Sequence, residues 1–274
     1  MKIAGISRKE TYSPNHITND AQIILKTAEV LRSLGHEVTI YDEGFIENND
    51  ISQELIFSMA QGLSGIKRVQ EFKNRGASVV NTPSSALNTY RIQMTELLTQ
   101  ADIPFPKSTI IEVGNVVEDY FKLFSTKKLW LKRGDVHAEH KEDVTLISSQ
   151  PELEATLRDF YKRGIFEAVV QEHLPGSTIK YYGIQGTGFF RWYFTGGSSS
   201  IKFDQNELKS LAFLSAEVLG VEIFGGDVIV SPDGSSMSVI DVNDWPSFAP
   251  VRDEAANNIA QLIHKKALEN VYQY

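Results

Sequence analysis

No cysteine occurs anywhere in the 274 residues. Disulfides, thiolate nucleophiles and cysteine-ligated zinc are therefore excluded, and the chain fits a reducing compartment. No hydrophobic run approaches the length of a membrane span. The opening MKIAGISRKE turns polar after six residues, without the apolar segment of a secretion signal. A cytoplasmic protein is the expectation. Positive charge is also scarce: 27 Lys and Arg face 35 Asp and Glu, a net charge of −8. Broad nonspecific binding to nucleic acid or to an anionic membrane is not expected of such a chain. The phosphate loop GxxxxGK[ST], the hydrolase elbow GxSxG and the zinc helix HExxH are all missing. GIQGTG (183–188) is no dinucleotide fingerprint, because its glycine order is wrong and it sits between two strand-like runs. No internal repeat, long linker or low-complexity segment is present.

What is present alternates between strand and helix patterns. The runs 2–6 and 37–42 read as strands, and between them residues 18–34 carry an apolar helical face stopped by Gly35. This βαβ-like opening suggests a Rossmann-type layer. Helices are expected at 52–61 and 63–74, a strand at 77–80, and a further helix to about residue 100. DIPFP (102–106) then breaks the chain, and a first domain boundary is placed there. Strands are expected at 108–112, 128–132, 143–147 and up to 172, with a helix over 149–163 started by a Ser149/Glu152 capping box. Beyond lie strands at 178–184 and 189–194, a helix at 204–219, a hairpin, and a closing helix over 253–271.

The hairpin is the most informative stretch. Runs at 227–230 and 238–243 flank SPDG, and Asp-Gly between apolar runs is a strong hairpin signal. A turn centred on Asp233–Gly234 puts Asp227 opposite or nearly opposite Asp241. Strand alternation places Asn243 on the face of Asp241, with Val228, Val230, Ile240 and Val242 on the other. Opposed like charges destabilise a bare hairpin, so the cluster calls for a cation. All-oxygen ligands suit Mg²⁺, which keeps waters and substrate phosphates as its other ligands. An acidic, solvated hairpin edge that prevents aggregation is the alternative.

Other residues carry weaker signals. Lys132 ends the strand LWLK above a polar loop and is either a phosphate-binding point charge or a solvated surface lysine. VVQEHLPG (169–176) leaves a strand for a turn, where backbone groups can read an adenine edge and Leu174 can pack on the ring. Lys180 is placed either to reach the same phosphates or to pair with an acid across the strands. His137 and His140, with Glu139 between them, match no defensible zinc spacing and read as a polar loop. Arg252 opens the last helix, either gripping an anion or lying exposed.

Taken together, the segment VNTPSSALNTYRIQMTELLTQADIPFPKSTII, the strand lysine, the hinge-like QEHL and the Gly225, Asp227, Asp241, Asn243 pattern resemble the ATP-grasp superfamily. The match spans about residues 78–262. The resemblance implies a Rossmann-like N-terminal domain (1–100), a small lid-like ATP-grasp subdomain (101–170) and a C-terminal subdomain with the metal site (171–274). ATP would lie between the two α+β subdomains. Lys132 and Lys180 would hold phosphates, and Gln171, Glu172, His173 and Leu174 would frame the adenine. Asp227, Asp241 and Asn243 would hold Mg²⁺, or Mn²⁺ in its place. Three departures stand out: residues 133–143 hold one glycine where a glycine-rich lid is common, Arg91 takes a position often filled by lysine, and Thr178 replaces a residue usually acidic in the ligases. Lid closure would then rely on side chains such as Arg133 or His137.

The resemblance is to carboxylate–amine ligases of the glutathione-synthetase-like and ribosomal-protein glutamate ligase kinds. It implies small-molecule or peptide carboxylate and amine substrates and an acyl-phosphate intermediate. Arg191 and Arg252 are the candidates for gripping the acceptor's carboxylate. A homodimer is suggested by the superfamily and not by these residues. The Asp-x-Asn variant and Lys180 also resemble the inositol polyphosphate kinases of the same superfamily. A kinase is therefore the alternative, although no dense basic cleft near 180–200 or 245–255 supports it.

Overall fold

The structure is a computed structural model that describes residues 1–12, 17–135, 140–196 and 200–271. Among them three four-stranded sheets follow one another along the chain. The first is parallel. It is built from β1 (Lys2–Ser7), α1 (Ile17–Ser33), β2 (Glu37–Asp42), α2 (Glu43–Asn48), β3 (Leu55–Ser58), α3 (Leu63–Asn74) and β4 (Ser78–Val80), in strand order β2-β1-β3-β4. Residues 55–58 form a strand where the sequence reading placed a helix over 52–61. All four are buried, and a short run of three apolar residues closed by Ser58 has no period to separate strand from helix. The six-residue α2 carries its own cap, the Asp42 carboxylate accepting from the Gly44 N–H at 2.7 Å.

The helical stretch before residue 100 is two helices, α4 (Pro83–Asn88) and α5 (Arg91–Gln100). The second sheet follows: β5 (Ser108–Glu112), α6 (Tyr120–Phe124), β6 (Leu129–Arg133), β7 (Val144–Ile147), α7 (Gln150–Lys162) and β8 (Glu167–Glu172), ordered β5-β8-β6-β7 and antiparallel throughout. The third comprises β9 (Ser177–Ile184), β10 (Phe190–Phe194), α8 (Gln205–Leu219), β11 (Ile223–Val230) and β12 (Met237–Asp244), ordered β10-β9-β11-β12 and again antiparallel. α9 (Arg252–Val271) closes the chain. A cut at 170/171 would fall inside β8; the second sheet ends at Glu172 and the third begins at Ser177.

Burial explains how the layers hold together. α9 returns to the first sheet: Ala255, Ile259 and Ile263 share a core with Ile23 and Ala28 of α1 and with Ile3 and Phe57. Met94 and Leu98 of α5 pack instead with Leu208 and Ala212 of α8 and with Val228 and Val242 of the third sheet. The helix before residue 100 thus carries part of the third layer's core. The second sheet has its own core, formed by Leu129, Leu131, Leu157 and Phe160. No helix among the described residues is long and apolar enough to cross a membrane.

Candidate active site

β11 and β12 pair with Asp227 opposite Asp241, then shift register between Asp227 and Val228, so that Val228 faces Val239. Ile240 is the extra residue of this β-bulge. The consequence corrects one expectation. Val228, Val230 and Val242 are buried in the core, but Ile240 is turned to the cleft, where it lines the same cavity as Asp241. Strict alternation breaks at the bulge, and both Ile240 and Asp241 end on the open face. Behind them Tyr181 is fully buried, and its hydroxyl has no hydrogen-bond partner. We expect Tyr181→Phe to gain about 1 kcal/mol of stability, because it removes an unsatisfied buried hydroxyl. Urea unfolding checks this, and a loss of similar size would contradict it.

Cations meet the acid pair from three elements. Lys180 is in register with Asp227 on β9, its Nζ 3.0 Å from Oδ2. Arg91 at the start of α5 places Nη1 3.0 Å from Asp241 Oδ1. Asn243 donates its Nδ2 to Asp241 Oδ2 at 3.2 Å. Burial, with the Asp241 charge added, pushes the Asp227 carboxyl up against the opposing pull of Lys180. Burial lowers Lys180, but the charge and hydrogen bond of Asp227 together with Asp241 and Tyr193 leave it above its ordinary value. The strand lysine, Lys132, comes from the second sheet. It is buried, donates to Gln171 Oε1 at 2.6 Å and approaches the Ile240 carbonyl at 3.4 Å. Burial, helped by Arg91, drags its pKa down to about 7. Gln171 is buried too and donates to Ser108 Oγ at 3.0 Å, so its visible work is to aim the lysine.

Two chambers meet at this cluster. One, of about 310 Å³, lies between the second and third sheets. Lys132, Arg91, Asp227 and Asp241 line its polar end, and Trp130, Pro106, Leu174 and Ile229 its apolar side. Trp130 shares the strand face of Lys132, a spacing of two that the sequence displays but that our reading missed. Its indole Nε1–H donates to His173 Nδ1 at 3.2 Å. Burial, with Lys128 nearby, lowers the His173 pKa and favours the neutral ring that can accept this bond. The Glu172 carboxylate accepts the Lys107 N–H at 2.8 Å and so ties the hinge to β5.

The second chamber, of about 440 Å³, opens toward the first sheet. Asp227, Asp241, Arg91 and Val144 line both chambers, so the acid pair stands at their junction. Lys180, Tyr182, Tyr193 and Asn243 come from the third sheet; Arg8, Tyr12, Asp20 and Gln61 come from the N-terminal layer. Arg8, Tyr12 and Asp20 fall in the segment 7–20, which the sequence offers either as a substrate-reading loop without a recognisable code or as packing; Gln61 is not marked at all. Glu43 holds their loops: fully buried, it accepts the N–H of Lys9 at 3.0 Å and of Gly62 at 2.8 Å. Arg8 pairs with Asp20 at 2.8 Å and donates to the carbonyls of Asp244 and Trp245. Asp244 is buried beside Asn81, and loss of hydration pushes its pKa up to about 7.

The two arginines proposed as carboxylate grips are placed elsewhere. Arg191 is exposed and forms a two-pronged pair with Glu254 of α9, Nε at 3.0 Å. Arg252 bonds Gln22 and Asn19 of α1, the latter at 2.6 Å, and so clamps two helices together. Neither lines either chamber. Arginine reach makes such placement unreadable from a helix start or strand position alone. We expect Arg191→Ala to change stability by no more than about 1 kcal/mol, as for exposed ion pairs, and to leave nucleotide affinity unchanged in a calorimetric titration. Arg133 pairs with Asp135 at 2.6 Å, and His140 donates its backbone N–H to Asp143 at 3.0 Å; His137 lies outside the described residues.

No family model matches the chain, and no curated protein matches it by sequence. Solved structures do. A D-alanine–D-alanine ligase from Bacillus anthracis complexed with ATP superposes with a TM-score of 0.76 at 12% identity, covering 100% of this chain and 99% of that one. The D-alanine–D-alanine ligase from Coxiella burnetii gives 0.75 at 13%, again over 100% and 99%. A RimK domain ATP-grasp protein from Sphaerobacter thermophilus gives 0.71 at 18%, over 96% and 99%. The chain has the ATP-grasp fold.

Proposed function

We propose that the protein is an ATP- and Mg²⁺-dependent carboxylate–amine ligase working through an acyl phosphate. One observation carries this reading: the acid pair Asp227 and Asp241 stands where the two chambers meet. A triphosphate placed in the first chamber, base toward Trp130, brings its terminal phosphate to that junction. A carboxylate in the second chamber then faces it. Proteins that share the fold include a D-alanine–D-alanine ligase complexed with ATP and the ATP-grasp ligase PsnB complexed with minimal precursor.

The donor set suits the metal. Two carboxylates and a carboxamide offer oxygen only, and no larger group of acidic, His or Cys ligands gathers among the described residues. Such a sparse set leaves room for phosphate oxygens and water, as Mg²⁺ requires. Asp227, Asp241 and Asn243 would hold the ion, which when bound offsets phosphate charge. The chain's own groups do the rest. Lys132, Lys180 and Arg91 converge on the junction and counter the charge that builds on the transferring phosphoryl group. Gln171 keeps Lys132 aimed there. The substrate carboxylate attacks the terminal phosphate and releases ADP. An amine then displaces phosphate to leave an amide, so no side-chain nucleophile is needed. The test is incubation with ATP, Mg²⁺, hydroxylamine and a panel of carboxylates. Hydroxamate with stoichiometric ADP is the expected product. Phosphate appearing on an alcohol instead would establish a kinase, and neither product would refute turnover.

A further inference from the structure

Among the described residues, the second chamber has no lysine or arginine to spare. Three basic side chains line it, and each is committed to an acid: Arg8 to Asp20, Arg91 to Asp241 and Lys180 to Asp227. The last two sit at the junction, where the transferring phosphate and the reacting carboxylate claim them. That leaves Arg8 at the far side. Its guanidinium is spent on Asp20 and on the carbonyl oxygens of Asp244, Trp245 and Met59, and its side chain is only 8% exposed. It acts as a strut between the N-terminal loop and the segment after β12. A fourth acid of the lining, Asp244, has no basic side chain bonded to it. The residues outside the described segments include no lysine or arginine; their basic side chains are His16 and His137. The two arginines that a second carboxylate would call for, Arg191 and Arg252, hold Glu254 and helix α1 instead.

The rest of the lining is phenolic and neutral. Tyr182 and Tyr193 bring their hydroxyls within 3.2 Å of each other, and Tyr12, Gln61 and Ser247 complete the polar wall. Phenol faces attract an ammonium group and phenol oxygens accept from it. A free carboxylate buried here would lose its hydration without a cation in return.

Resting on the ligase reading, we infer that the acceptor is an amine carrying no carboxylate of its own beside the reacting nitrogen: an amino amide, a simple amine or an amine set within a chain. Free α-amino acids are disfavoured by the same chamber.

Matched probes test this without knowledge of the natural carboxylate. Nucleotide loading is first measured by calorimetry with Mg²⁺ and a non-hydrolysable ATP analogue. Tyrosinamide and tyrosine, then glycinamide and glycine, are titrated at pH 7 into the loaded protein with excess acetate filling the place of the reacting carboxylate. The amide of each pair is expected to bind at least about tenfold more tightly than the acid, the factor of one unsatisfied interaction. Ser247→Lys supplies a spare cation at the rim and is expected to bring each pair within about threefold. Asp20→Asn frees Arg8 and is expected to act in the same direction; the Ser247 variant stands on its own if that one fails to fold. Equal or tighter binding of the acids, or no binding of either probe, overturns the inference while nucleotide loading keeps the ATP site. Failure to load nucleotide overturns the ligase reading, and the same ranking is then required of the unloaded protein.

Discussion

Asp241→Asn should lower ATP turnover by about 10²–10³-fold, the loss typical when one preorganised group aimed at transition-state charge is removed. It should do so without costing stability. Asp241 and Asp227 are directly opposed across β11 and β12, and the Asp241 charge adds to burial in raising the Asp227 carboxyl. Neutralising Asp241 relieves that repulsion while giving up its ion pair with Arg91, so the melting temperature should change little. A site that carries strain for function behaves in this way. Asp241→Asn read by both thermal unfolding and ADP release separates this account from a structural one. If the acid pair were only a solvated hairpin edge, turnover would survive the substitution.

Lys132→Met should weaken nucleotide binding by about 10–100-fold, the scale of one charged hydrogen bond, and should abolish a proton linkage. The buried lysine titrates near pH 7 when only protein surrounds it. A triphosphate would favour its charged form, so binding at pH 8.5 should take up close to one proton. Calorimetry in buffers of different ionisation enthalpy reads that uptake directly. The folding linkage has a definite sign. An unfolded lysine keeps its proton to about pH 10.5, whereas the folded one releases it above about 7. The unfolded chain therefore binds more protons between those values, and stability rises with pH across that window. Below it, the buried charge remains a cost to folding. Lys132→Met should flatten the slope.

Much of this was legible in the chain. The Asp-Gly turn brings Asp227 nearly opposite Asp241: counting from a two-residue turn reaches Ile240, and the bulge supplies the last residue. Strand lengths and caps in the second and third layers follow from the same local signals. Three things were not legible. A β-bulge adds a residue without any composition of its own, so Ile240 was assigned to the core and faces the cleft. The partners of Arg191 and Arg252 lie on α9 and α1, and no local pattern says where a long flexible side chain will reach. The N-terminal contribution of Arg8, Tyr12, Asp20 and Gln61 depends on how the first sheet meets the third, which is set by packing of α9 on α1 and of α5 on α8. Trp130 is a different case. It lies two residues before Lys132 on one strand, and alternation alone would have placed it on the wall of the first chamber.

The central claim is that the acid pair and Lys132 form a magnesium-dependent triphosphate site. Titration of a non-hydrolysable ATP analogue into the protein, with Mg²⁺ and again with excess chelator, tests it most directly. The account predicts saturable one-to-one binding that weakens at least about tenfold when the metal is withdrawn and that is lost in Asp227→Asn/Asp241→Asn. Binding of equal strength with and without the metal, or none in either case, would contradict it.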